Sequence, residues 1–210
     1  MSNSNAMHSR TNPKLLGFAL ILAAILAFPA CWVTSINPLY EEWSVDQPQE
    51  DPDLVFDQGL IGSWSRAEDK CVTLLAIEAK DQVYGLQGTD QGEGCAEADK
   101  PTHTQARLVK LDNHYFFDIS AINDDVCDMC RPVHNIFLVK WDKTTLSLTP
   151  IDSDWLKKSI AAKTLNIATL SGDTDTITAS SKELKAFCRK FADDARVFGP
   201  EMAETFIRTH

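Results

Sequence analysis

The sequence predicts an α+β fold: an antiparallel β-sheet curled as a barrel or half-barrel, with C-terminal helices, preceded by a signal or anchor segment. Three observations lead there. Through the middle of the chain, short apolar runs alternate with polar residues and meet at two-residue turns. Near the C-terminus the apolar period becomes helical. Near the N-terminus stands an uncharged apolar stretch, Leu15 to Cys31.

That stretch follows Arg10 and Lys14, the layout of an export signal. Its last residues, Phe28-Pro29-Ala30-Cys31, resemble a bacterial lipobox. In such signals the Cys takes a diacylglycerol thioether, and cleavage makes it the new N-terminus. The resemblance implies a signal peptide over residues 1–30 and a lipidated Cys31. Phe28 stands where Leu is usual, and Pro29 is uncommon at the next place. Two other readings therefore stay open. One is an uncleaved apolar helix from Leu15 to Val33, long enough to span a bilayer. The other is simple secretion after cleavage near Val33-Thr34-Ser35.

Residues 31–58 read as the lipidated Cys and an acidic tether. Pro38, Pro48 and Pro52 interrupt regular structure there, and Glu41, Glu42, Asp46, Glu50, Asp51, Asp53 and Asp57 repel one another. Residues 59–210 are long enough to bury a core as one β-rich domain with a C-terminal helix. The formal charge of −10 becomes −12 once Arg10 and Lys14 leave with the signal. Such acidity argues against nucleic acid as a partner.

The domain opens at Leu60-Ile61-Gly62-Ser63-Trp64. Cys71 to Ile77 and Gln82 to Leu86 are strand candidates, and Gly88 to Thr104 reads as a loop rich in Gly, Asp and Glu. Ala106–Leu111 turns at Asp112-Asn113 into His114–Ile119, since both turn residues tolerate positive φ. Ala121 to Pro132 reads as a polar loop. Ile136–Trp141 turns at Asp142-Lys143 into Thr144–Leu148. Asp154 to Ile160 forms a short helix capped by Asp152 or Ser153, and Ile177 to Ala179 a last strand. Ser180-Ser181-Lys182-Glu183 is a capping box. Leu184, Phe187, Cys188 and Phe191 then share one helical face, which buries Cys188 as an inert thiol. Pro200 starts a final short helix through Met202 and Phe206.

Two resemblances follow from these residues. Cys31-Trp32-Val33-Thr34-Ser35-Ile36-Asn37-Pro38-Leu39-Tyr40 resembles the mature start of an uncharacterised bacterial lipoprotein family, in which Asn-Pro-Leu-Tyr soon follows the lipidated Cys. Leu60 to Trp64, Leu108–Leu111, Tyr115–Asp118, Pro132-Val133-His134, Asp154–Lys157 and Glu183–Phe187 are similar to its core segments. The family implies the anchor and no activity. Gly62-x-Trp64 resembles the start of the first lipocalin strand. That resemblance implies a Trp closing the barrel base and an apolar ligand at the open end.

Of the six Cys, five remain if Cys31 is lipidated. Cys127-Asp128-Met129-Cys130 lies in a polar loop, so a disulfide or inert loop outranks a metal site or redox centre. His134 is a near third ligand for a metal, and His114 or His103 could approach in space. Cys71 and Cys95 are candidates for a second bridge, and the pairing stays open. Asn123-Asp124-Asp125 with Asp128, and Asp173-Thr174-Asp175, read as turn-forming acids. Phosphate loops, Gly-x-Ser-x-Gly elbows and His-Glu-x-x-His motifs are missing from the sequence.

The reading that results is a non-enzymatic cell-envelope lipoprotein with no catalytic residue and no cofactor. Its partners are the membrane, through the lipid anchor, and a small apolar ligand or an envelope protein. The alternative is a thiol-redox or metal-dependent envelope factor using the Cys127–Cys130 loop. Cys31 is followed by Trp32 rather than Asp, which under the enteric sorting rule implies the outer membrane, facing the periplasm.

Overall fold

The computed structural model describes residues 32–41, 51–68, 71–92, 102–121 and 133–209. Trp32 to His210 forms one compact unit. Its strands are β1 (Thr34–Ser35), β2 (Leu54–Val55), β3 (Gly62–Glu68), β4 (Cys71–Lys80), β5 (Val83–Gly92), β6 (Thr102–Leu111), β7 (His114–Ala121), β8 (His134–Trp141) and β9 (Thr145–Pro150). Helix α1 (Ser153–Ala161) follows, then β10 (Thr169–Leu170), β11 (Asp173–Ile177), helix α2 (Ser181–Phe191) and β12 (Glu204–Arg208).

Eight antiparallel strands close a barrel in the order β3-β4-β5-β6-β7-β8-β9-β12, and β12 pairs back with β3. The β6–β7 turn falls at Asp112-Asn113, with Asp112 at φ 54°. Asp81 and Gln82 turn β4 into β5, both at positive φ. Asp142 shapes the longer β8–β9 connection by accepting from the Thr144 and Thr145 amides.

Strands β6, β7 and β8 outrun the barrel. Where β5 stops pairing with β6, β2 takes its place. Where β9 leaves β8, β1 takes over, and β11 and β10 continue from β1. The result is one sheet with two cores. Leu108, Phe117 and Phe137 form a paired row inside the barrel. Val109, Phe116 and Leu138 form the next row, on the outer face under α1 and α2. This double burial explains the unbroken apolar runs of these strands, since each face needs its own apolar residues.

Helix α2 keeps its expected face: Leu184, Phe187 and Cys188 are buried. Ser180 and Glu183 make both bonds of the capping box. Asp152 caps α1 by accepting from Trp155 N at 2.7 Å.

Four expectations need correcting. The described parts of 32–58 are not a free tether. Val33 and Leu39 lie in the core and β1 and β2 are part of the sheet, so the domain begins before residue 59. Gly88 to Gly92 and Thr102 to Thr104 are strand, because pairing of the first with β4 and of the second with β5 outweighs their loop-like composition. Asp173 to Asp175 belong to β11. Finally, Pro200–Met202 is only a 3-10 turn, and Phe206 lies in β12, the strand that closes the barrel. The segment Leu15 to Cys31 lies outside the described residues.

Candidate functional site

The two ends of the barrel differ, and the difference starts with Gly62. Its φ of +141° suits only Gly, and a Cβ there would meet an Arg208 guanidinium nitrogen at 2.6 Å. That close approach lets Arg208 cover Trp64, with its guanidinium carbon 4.0 Å from the ring centroid. Arg208 also donates to the carbonyls of Ile61 at 2.9 Å, Lys143 at 3.0 Å and Gly59. Trp64 Nε1 donates to Leu60 O at 3.1 Å. The 3-10 turn Gln58–Leu60 sits under this stopper, capped by Asp57. One end of the barrel is therefore closed by a fully buried Trp whose polar atom is satisfied.

Above the stopper, Tyr84, Phe117, Phe137, Leu146 and Phe206 fill the barrel. Tyr84 donates to Asp57 O and accepts from Asp57 N. Burial pushes its phenol up to about 12.

The other end is different. Strand alternation turns Arg66, Thr73, Gly88, Thr104 and Glu204 inward, and each is partly exposed. Arg66 pairs with Glu204 at 3.5 Å and lies over the Phe206 ring. Trp32 packs edge-on against Phe137, with centroids 5.2 Å apart, beside this mouth. Among the described residues, the barrel is thus an apolar body with a plugged base and a polar, partly exposed rim at its other end.

The outer core holds a buried polar cluster. His134 Nδ1 lies 2.6 Å from Asp118 Oδ1, and Leu39 N donates to Asp118 Oδ2 at 2.5 Å. Cys188 is free and buried nearby. Burial, and then the charge of Asp118, push its thiol well above the usual range. A buried thiol held protonated lacks the thiolate that an activated nucleophile needs, and Cys188, His134 and Asp118 pack together in the outer core.

A second cluster fixes the expected tether. Lys185 of α2 bonds Asp51 at 2.5 Å and Asp53 at 2.8 Å, and Arg189 reaches Asp53 at 3.1 Å. Burial works to raise the Asp51 pKa. The Lys185 bond and the amides of Glu41 and Asp53 outweigh it, and hold the carboxyl below its usual range. Burial works to lower Lys185, but Asp51 and Asp53 hold it above its own.

Among the sequence candidates, His134 is engaged through Nδ1, which leaves it one ring nitrogen. His114 cannot join it, because the pairs Leu111–His114 and Ser120–His134 set the two at opposite ends of β7. It bonds Asp193 instead. His103 is exposed on the outer face of β6. Cys71 opens β4, but its side chain, like Cys31, Cys95, Cys127 and Cys130, lies outside the described residues. No group of three His, Cys, Asp or Glu among the described residues is arranged to hold a metal ion. Sequence reading missed Arg208 and the Arg66–Glu204 pair. The only local signal for the first was the Gly in Gly62-x-Trp64.

No family model, curated protein or solved structure matches this chain.

Proposed function

We propose that this is a non-enzymatic cell-envelope lipoprotein, anchored through Cys31, whose barrel takes a small amphipathic ligand at its open mouth. One observation carries the reading: the barrel is plugged at the Trp64–Arg208 end, whereas the described residues at its other end, Arg66 and Glu204 among them, are partly exposed. Closed up-and-down barrels hold small ligands in this way, in the cavity or mouth that their side chains leave open. The filled lower barrel makes the site shallow. An apolar body would rest on Leu75, Leu86 and Phe137, and a polar head would meet the Thr104 hydroxyl at the rim. The lipocalin-like resemblance of Gly62-x-Trp64 implies an apolar ligand at the open end, and the expected export signal implies the envelope as the address.

The test uses full-length protein extracted from membranes. Its intact mass should begin at Cys31 and carry acyl chains. A dansylated undecanoic acid should bind saturably, and Thr104→Trp, which fills the mouth, should weaken that binding at least tenfold while the circular dichroism stays native. Binding that is absent, or that ignores the substitution, refutes the mouth as the site.

A further inference from the structure

The sheet that continues past the barrel has one face covered by the helices and one face that no described element covers. Val33, Ile136 and Ile177 point into the helix layer and are buried. The neighbouring residues point the other way. Thr34 pairs with Asn135 on β8 and with Thr176 on β11, and the two Thr hydroxyls lie 3.3 Å apart, which fixes them to one face. On either side of this row stand Trp32, 49% exposed, Ile36, 40% exposed, and Val133, 45% exposed. Ile36 stays tied to β11 through its amide, which donates to Ile177 O at 3.0 Å. Three of the large exposed hydrophobics among the described residues thus share one face, with only Thr and Asn between them. A chain that carries −12 after signal removal has kept charge out of this row.

We propose that this face rests on the lipid bilayer, so that the barrel mouth beside it opens toward the membrane. The inference rests on the anchor proposed above. The residue before Trp32 is Cys31, and adjacent Cα atoms are about 3.8 Å apart. Acyl chains on Cys31 therefore bring the bilayer surface to this edge of the domain and to no other. A half-exposed Trp with an apolar ring and a polar N–H suits the headgroup boundary, and Ile36 and Val133 supply the apolar contact behind it. Uncharged Thr and Asn side chains cost little at that depth, while the acidic remainder of the surface is kept away from anionic headgroups. The bilayer then also becomes the source from which the mouth draws its ligand.

The test places one new Trp on each side of the domain in the full-length chain. Trp32→Phe removes the reporter next to the anchor, and the quenching of this background, which keeps Trp43, Trp64, Trp141 and Trp155, is subtracted from that of each variant. Into that background go Val133→Trp, on the proposed face, and Ile207→Trp, on the outside of β12 near the plugged base, where Ile207 is 52% exposed. Both sites are exposed, so both variants keep the core. The proteins are reconstituted into phosphatidylethanolamine vesicles containing phosphatidylcholine brominated near the headgroup end of its acyl chains. The Trp at 133 should be quenched severalfold more than the Trp at 207, and adding Ile36→Glu should abolish the difference. Equal quenching in protein whose mass shows acyl chains overturns the orientation and leaves the anchor standing. A dimer in which the Trp at 133 is blue-shifted but indifferent to bromine overturns it in favour of a second copy. A mass without acyl chains removes the anchor, and this inference falls with it.

Discussion

The inside of the barrel and its helix-covered outer face use the same three strands but are held by different forces. Inside, the contacts are apolar and aromatic: Tyr84 meets Phe117 at 5.4 Å, and Tyr115 meets Trp141 at 4.8 Å. Outside, apolar packing is laced with buried polar contacts, the ion pairs of Lys185 with Asp51 and Asp53 and the hydrogen bond between Asp118 and His134. The barrel joins strands that are mostly neighbours in sequence. The outer face joins the N-terminal segment to a helix more than a hundred residues away, and there the ion pairs fix which segment docks where. A buried ion pair adds little net stability over a hydrophobic pair, yet breaking one is costly, so its use here is to specify the docking.

The largest expected effect is on the barrel. Trp64→Ala opens a cavity at the stopper, leaves Leu60 O without its donor and strips Arg208 of its stacking partner. The cost should be about 3–5 kcal/mol. Because β6 to β8 carry both cores, urea unfolding followed by Tyr fluorescence and by far-UV circular dichroism should still give one coincident transition at a lower midpoint. Separate transitions would break the idea that the shared strands couple the two regions.

Next comes Lys185→Met, which leaves the Asp51 carboxylate buried without its cation. Loss of one partner of a buried pair costs about 3 kcal/mol. The same pair separates the regions by pH. Asp51 titrates below its ordinary 3.8 in the fold, so its contribution is present above that value and is lost as pH falls through the depressed one. Lys185 titrates above 10.5, so its contribution is present below that and is lost as pH rises past it. In the barrel, Tyr84 moves from 10.0 to about 12, so stability drains there as pH climbs between the two. Acid should therefore loosen the outer face first, while alkali strikes both regions. Amide exchange at about pH 3 should speed up in α2 before it does in β4. Parallel acceleration would erase the distinction, and Lys185→Met should shrink the acid step in α2 to the part that the Ser180–Glu183 cap contributes.

What could be read from the sequence follows the same division. The Asp112-Asn113 hairpin and the Ser180–Glu183 capping box are short-range devices, with their signals within a few residues. Closure of the barrel is not. Glu204 to Arg208 is a five-residue strand after Pro200, and read alone it suits a helix start as well. Only its partners, Leu146 on β9 and Trp64 on β3, make it a strand. Asp51 and Asp53 look like tether acids until Lys185, across the fold, neutralises them. The mouth was hidden for a similar reason. Thr73, Gly88 and Thr104 carry no motif, and they become neighbours on one barrel wall only when β4, β5 and β6 pair.

The smallest test acts at the exposed start of α2. Ser180 caps α2 by accepting from Glu183 N, and Glu183 Oε2 accepts from the Ser180 hydroxyl at 2.7 Å and from Ser180 N at 2.9 Å. All of this is exposed, so Ser180→Ala removes hydrogen bonds without touching either core. Caps of this kind are worth about 1 kcal/mol. The Ser180 hydroxyl and amide hold the Glu183 carboxyl below its usual 4.5, so the cap is complete above that pH and lost as pH falls through the lowered value. A cap fixes the first turn of α2, and the next turns carry Leu184 and Lys185 onto the sheet. If the outer face depends on how α2 is seated, Ser180→Ala should lower the urea midpoint slightly and raise amide exchange in α2, leaving β4 and β5 unchanged. Exchange that rises equally in the barrel strands would mean that the two cores respond as one even to a surface change, and the contrast between them would have no consequence for local stability.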